Sequence, residues 1–301
     1  MGAAAVLRSR RPPAPLLVIG SVVSVQFGGA LAATLVHRIG PSGSVALRLV
    51  LAAIILLAVA RPRLVGHTRR DWAVVLGFAA TLALMNLCFY SALARLPIGV
   101  AVTIEFIGPL TLATVLSRRP RDLLAVAAAA VGVLLISGAI GVPWDQLDLV
   151  GLGLALGAGT CWAAYIIFSG RTGQHFPQLD GLAIAMGMAA IAMIPPGVIE
   201  AGPRLWQWDS VWRGVGIALL SSVLPYSLEL MALRRLAAHI FGILLSLEPA
   251  VAALAGFLVL HQRLDGRQLG GMALVVAASA LVMGARATQP EAERVAETTN
   301  Q

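Results

Sequence analysis

Two acidic side chains stand beside two prolines inside apolar runs, and this pairing carries the most chemistry in the chain. Glu105 lies four residues before Pro109, and Glu248 lies directly before Pro249. Proline has no backbone N–H, so within a helix Pro109 frees the carbonyl of Glu105 and Pro249 frees that of Leu245. A carboxylate and a free carbonyl at one level make a seat for an ammonium group, and the carboxylate alone can carry a proton. Each acid reads equally as a structural group bonded to a neighbouring helix, Glu248 against the eighth helix or paired with an arginine.

The two settings look like copies of one unit. Arg95-Leu96 leads into the run broken by Pro109, and at an offset of 140 residues Arg235-Leu236 leads into the run broken by Pro249. In that frame Ala92, Leu93 and Ala113 meet Ala232, Leu233 and Ala253. Further on, Ala127 to Ala139 aligns with Ala273 to Ala285 at an offset of 146, with Gly138 matching Gly284. Duplicated, interrupted apolar helices with embedded charge are the pattern of a transporter whose site lies between two repeats.

Other polar residues inside apolar runs are candidates for the same site. Arg48 sits one turn inside the outer end of its helix; it reads as a receptor for a carboxylate, a partner for Glu105, or a side chain snorkelling to the interface. Asn86 and Tyr90 share a helix face at i, i+4, and Trp162 and Tyr165 lie at i, i+3. With Gln26 and Tyr226 they either line a cavity, Trp162 meeting a ligand's cation or apolar part, or pack between helices. Glu229 falls near the cytoplasmic end of its helix, where it reads as a gate partner for Arg234 or Arg235 or as a solvated helix-end acid. Gly151, Gly153, Gly157 and Gly159 form a close-packing face and not a phosphate loop. Cys88 and Cys161 read as small core residues. No metal-ligand spacing, nucleotide-binding loop or nucleophile motif is present, so the reading is of neither an enzyme nor a metal or cofactor site.

The elements that hold these residues follow from composition. The chain is 58% hydrophobic and 12% charged, with 31 glycines and a mean hydropathy of +0.86; soluble domains carry about 25% charged residues. The formal charge of +8 does not indicate nucleic acid, because the basic residues, all arginine, sit between apolar spans. Spans of about 20 residues are expected at 16–36, 44–60, 72–94, 98–116, 123–140, 149–168, 182–199, 211–233, 238–260 and 267–284. The fold class is therefore all-α and integral to the membrane: ten transmembrane helices as two five-helix repeats, 16–140 and 149–284. The tight links between the third and fourth and between the eighth and ninth spans predict antiparallel neighbours. Five crossings are an odd number, so the second repeat is inverted relative to the first, which allows inward- and outward-open states around one centre.

A short N-terminal segment, 1–15, and a polar tail, 285–301, expected to be disordered, complete the organisation. The first span reads as an uncleaved helix and not as a signal peptide, since its removal would leave the second repeat without a counterpart. Placing the N-terminus in the cytoplasm puts fifteen arginines inside against six outside, so both termini are expected to be cytoplasmic.

The residues also carry a family resemblance. Ser24-Val25-Gln26 with Gly28-Gly29, Ala46 to Leu49, Asn86 to Tyr90, Pro97 to Ala101, Glu105 to Leu110 and Ser117 to Pro120 make up its first half. Leu156 to Gly159 with Cys161 to Ala163 and Tyr165, Leu224 to Glu229, and Phe241-Gly242 through Leu247 to Ala250 make up its second. The chain resembles the EamA branch of the drug/metabolite transporter superfamily, and within it the bacterial threonine/homoserine exporters. The resemblance implies export of small neutral amino acids across the bacterial inner membrane, with a small-molecule substrate, protons as coupling partners, and no cofactor. Those exporters carry a lysine late in the first helix, where this chain has Ala33. Another metabolite or drug on the same fold (a purine, a cationic or a lipophilic compound) is the main alternative. The 6% aromatic content weighs against a wide aromatic-lined drug cavity. A non-transporting membrane protein is a further alternative, though a scaffold has no need of carboxylates at mid-membrane. Oligomeric state is not readable.

Overall fold

In a computed structural model, residues 12–117, 119–143, 147–251, 254 and 265–287 are described. Of the segments expected at 1–15 and 285–301, residues 1–11 and 288–301 lie outside the described residues, as do 252–253 and 255–260 of the ninth span and the side chain of Ala33; residues 285–287, expected to be disordered, continue the last helix. All regular structure among the described residues is helical: α1 (Ala14–Ala60), α2 (Arg69–Leu93), α3 (Ile98–Leu116), α4 (Pro120–Ser137), α5 (Leu149–His175), α6 (Asp180–Ala201), α7 (Trp208–Ala218), α8 (Leu224–Leu233), α9 (Ala238–Leu245) and α10 (Gly266–Ala287).

Among the described residues, six helical stretches are long and apolar enough to cross a membrane: Thr34–Ala60, Arg69–Leu93, Pro120–Ser137, Leu149–His175, Asp180–Trp206 and Trp208–Leu233. Four shorter apolar helices, Ala14–Gly29, Val100–Leu116, Ala238–Val251 and Gly266–Val282, accompany them. Large aliphatic side chains such as Val59, Val115, Leu124, Ile191 and Ile199 are exposed on the outside of the bundle, as lipid-facing surfaces require. Trp206, Trp208 and Trp212 are exposed around the start of α7, where amphipathic rings suit a membrane–water boundary.

The breaks explain how the spans are divided. The first two expected spans are joined in α1 through one non-helical residue, Gly40 (φ 77°, ψ 172°), a conformation in the left-handed region that glycine tolerates. Pro41 then opens the second arm, and Glu200 at the end of α6 accepts hydrogen bonds from the N–H groups of Ser42 (2.5 Å) and Gly43 (3.2 Å). A carboxylate thus caps the orphan donors of a helix start from another helix. Thr68 and Asp71 form a capping box on α2, and Asp148 accepts from Gly151 N at 2.7 Å to start α5. Gly138 (φ 70°) ends α4.

The expected break at Pro109 is absent, α3 running through it from Ile98 to Leu116, whereas two other spans are interrupted. The span at 211–233 contains a π-helical turn, Leu219–Val223. Pro225 cannot donate to the carbonyl of Ser221, and the Leu224 N–H instead reaches back five residues to Leu219 O, which widens the ladder. The ninth span breaks for one residue at Ser246 and resumes at 247, next to the Leu245 carbonyl that Pro249 deprives of its partner.

The tight links join α2 to α3 and α8 to α9, but those helices diverge beyond the turn. Helix α2 packs mainly against α5 and α6, and α3 against α5, α9 and α4. Helix α1 runs along α6, α7 and α8, and α4 pairs with α10. Glycine permits the closest crossings. A side chain on Gly132 or Gly271 would strike the other's carbonyl, between α4 and α10, and one on Gly108 would strike Gly159, between α3 and α5.

Candidate functional site

The crossing of α3 and α5 places Glu105. A Cβ on Gly159 would come 2.5 Å from the Glu105 carbonyl oxygen, so the carbonyl freed by Pro109 lies against the α5 backbone. It is not open to a ligand, which corrects the expectation of a carboxylate and free carbonyl acting together. The carboxylate is the available group. It is buried at 7% exposure, and among the described residues it has no hydrogen-bond partner. Of the glycine face read from sequence, Gly151 packs on Arg95 and Leu96 and Gly157 approaches Cys88, while Gly153 meets nothing within 4 Å.

Arg48 does not snorkel. It is 4% exposed, donating from Nη1 to the Tyr90 hydroxyl at 3.1 Å with its Cζ 5.2 Å from that ring's centroid. Its Nε and Nη2 are buried with no hydrogen-bond partner. A guanidinium carries five donors in a fixed fork, so most of the fork stays available for a carboxylate. Among the described residues Arg48 is the one buried basic side chain.

Glu229 is the largest correction. It is neither solvated nor at a helix end in contact with water: it is 4% exposed, accepting from Ser21 Oγ at 2.5 Å and from the Tyr165 hydroxyl at 2.7 Å. Arg234, one of its expected partners, donates instead to the carbonyls of Phe176 (2.9 Å) and Gln178. Sequence reasoning missed Ser21. The available signal was the i, i+3, i+7 spacing of Ser21, Ser24 and Gly28 on one face of α1; Ser24 Oγ donates to Leu220 O at 2.7 Å in the π-helical turn, and Gly28 packs on Ser221.

The remaining candidates join these groups. Asn86 Nδ2 donates to Leu82 O (2.7 Å) and to the Tyr226 hydroxyl (3.3 Å). The Tyr165 and Tyr226 rings lie 5.5 Å apart. Gln26 Nε2 donates to the backbone carbonyl of Glu248 at 3.4 Å. Glu248 is partly buried, and its carboxylate has no hydrogen-bond partner among the described residues. Glu248 lies within electrostatic reach of both Glu105 and Glu229. Tyr226 lies within electrostatic reach of both Arg48 and Glu229. Trp162 stands apart from the polar atoms: it packs edge-on against Phe106, ring centroids 4.9 Å apart.

Among the described residues the candidate groups are thus one guanidinium with unpaired donors and two carboxylates without a hydrogen-bond partner, beside the hydrogen-bonded side chains of Glu229, Tyr165, Asn86 and Tyr226. A buried polar centre in an all-helical membrane bundle defines a membrane transport protein as its class. Comparison with known proteins narrows the class. The EamA-like transporter family matches residues 149–284. The chain is 39% identical over 265 residues to the threonine/homoserine exporter RhtA of Salmonella typhimurium (strain LT2), covering 88% of this chain and 89% of the relative. It is 38% identical over 283 residues to RhtA of Escherichia coli (strain K12), covering 94% of each. An uncharacterized transporter, YwfM, of Bacillus subtilis (strain 168) is 28% identical over 238 residues, covering 74% of this chain and 77% of the relative. One crystal structure superposes with a TM-score of 0.74 at 19% identity, covering 92% of this chain and 98% of the other, and shows the same fold. The chain belongs to the EamA-like transporter family; it is a multi-pass membrane transporter and not an enzyme.

Proposed function

We propose that the protein is a secondary active exporter of small neutral amino acids of the threonine/homoserine type, driven by proton antiport in the bacterial cytoplasmic membrane. The observation that carries the reading is charge complementarity to a zwitterion: the free donors of Arg48 suit an α-carboxylate, and the unpartnered carboxylates of Glu105 and Glu248 suit an α-ammonium group. The names of the relatives support the cargo and the direction.

In the transport cycle, an inward-open site takes the amino acid as a buried carboxyl releases a proton, and protonation from outside displaces it after the bundle rocks. The machinery is ten membrane helices in two inverted five-helix repeats, with both termini cytoplasmic. The packing supports this symmetry, because the segments that the repeat makes equivalent lie against each other: α3 on α9, with Gly242 against Pro109, and α4 on α10. A lipophilic drug is a poorer fit, since Trp162 and Tyr165 are packed against Phe106 and Phe78 and leave no open aromatic wall. The test is pH-gradient-driven flux of labelled threonine and homoserine in proteoliposomes. Wild type is expected to accumulate either compound, and Glu105→Gln to lose that flux by about 10- to 100-fold, the worth of one hydrogen bond to a charged group. Unchanged flux in the mutant reduces Glu105 to a structural acid.

A further inference from the structure

Two buried acids, Glu105 and Glu229, and one partly buried acid, Glu248, stand at this centre, and they differ in what surrounds them. Glu105 and Glu248 have no hydrogen-bond partner among the described residues. Glu229 is held on both oxygens, by Ser21 from α1 and Tyr165 from α5. Both partners are hydroxyls, and a hydroxyl donates or accepts according to its rotation. An ionised Glu229 accepts from both. A protonated Glu229 donates its new O–H to one of them, which rotates to accept while the other continues to donate. The cage therefore keeps its hydrogen bonds in both protonation states. A carboxylate capped by backbone N–H groups or by an arginine could not do this, because those groups donate only.

The surroundings fit a site that exchanges a proton while staying in place. Tyr165 faces Glu229 from α5, and Tyr226 lies one turn before it on α8. Glu248, beyond α9, is within reach of its charge, and Arg48 lies within electrostatic reach of Tyr226. Glu229 also joins the two halves of the chain, since Ser21 belongs to the first and Tyr165 to the second. The π-helical turn at Leu219–Val223 lies directly before α8, and such turns are frequent at functional sites.

We infer that Glu229 is the site of the coupling proton, separate from the substrate-binding carboxylates Glu105 and Glu248. The inference rests on the proton-antiport reading and divides its labour. In the outward-open state Glu229 takes a proton from external water; in the inward-open state it returns that proton to the cytoplasm, while the amine of the cargo meets Glu105 and Glu248.

Two measurements test it, the first without any substrate. In pH-difference infrared spectra of the purified, reconstituted protein, one carboxyl C=O band is expected to titrate, to vanish in Glu229→Gln and to persist in Glu105→Gln. A band that survives Glu229→Gln overturns the inference. The second compares gradient-driven accumulation of labelled threonine with exchange of labelled for unlabelled threonine at equal pH. The amide of Glu229→Gln can still accept from one hydroxyl and donate to the other. It is expected to lose accumulation at least about tenfold while exchange stays within about threefold of wild type. Accumulation unchanged from wild type, or accumulation and exchange lost together in correctly inserted protein, overturns the inference. Tyr165→Phe, which keeps the acid and removes one donor, is expected to retain coupling with a displaced pH profile; an unmoved profile counts against the cage. Absence of threonine and homoserine flux in wild type sinks the cargo reading alone, and the infrared result then decides Glu229 independently.

Discussion

Glu105 on α3 and Glu229 on α8 are almost equally buried, at 7% and 4% exposure, yet their settings are opposite. Glu229 is enclosed by two hydroxyls. Glu105 sits where two helices cross through glycine, its carbonyl pressed on Gly159 and its carboxylate left without a partner. Arg48 resembles Glu105 in this respect, with one nitrogen anchored on Tyr90 and two unpartnered. Depth in the bundle does not distinguish these residues. What distinguishes them is whether the protein has already spent their hydrogen-bonding capacity, since an unmet buried polar group is costly unless a ligand meets it.

The contrast breaks most readily at Arg48. Arg48→Lys keeps the charge and loses the fork, so threonine KM is expected to rise about 10- to 100-fold with a smaller change in maximal rate, the loss of one or two charge-assisted hydrogen bonds. An unchanged KM in transport kinetics would mean the free donors face no cargo, and the distinction between spent and unspent groups would lose its functional content.

Gly159→Ala sharpens the comparison, because it pushes on Glu105 and leaves the Glu229 cage alone. Overpacking of this kind costs about 1–3 kcal/mol. The melting temperature of the detergent-solubilised protein is expected to fall and substrate exchange to weaken, while the infrared band assigned to Glu229 stays in place. Loss of that band would show that the two acids are not independent.

The smallest effect is expected at the end of the bundle, at Asp148. The Gly151 N–H and the Arg95 guanidinium, 3.3 Å away, hold its carboxyl below the ordinary aspartate range. A lowered folded-state pKa contributes stability that is present above the unfolded value, near pH 4, and lost as pH falls through the lowered one. Asp148→Asn should therefore leave stability near neutral pH almost unchanged, asparagine being an equally good cap. It should also flatten the acid limb of a melting-temperature profile. An acid limb identical to wild type would place the sensitivity elsewhere.

Much of the fold could be read directly from the chain. Apolar length and the Gly40-Pro41 pair state where helices run and where one bends, because these effects are local. How the backbone responds at the other prolines was less legible: α3 continues through Pro109, a π-helical turn precedes Pro225, and the ninth span breaks at Ser246, since a proline fixes the lost hydrogen bond but not how the backbone makes good the loss. The acids at 105 and 248 were visible as anomalies in apolar runs. Glu229 was misjudged because its distance along the helix to Arg234 was taken as its distance to water, and only the arrival of α1 and α5 seals it.

The sequence by itself determined that this is an all-helical membrane bundle with acids embedded in its apolar runs, because hydropathy and helix length are properties of neighbouring residues. The tertiary structure alone decided which charges are spent and which are free. A hydrogen bond between residues 21 and 229, or its absence at Arg48 Nε, depends on helices that the chain brings together from its two ends.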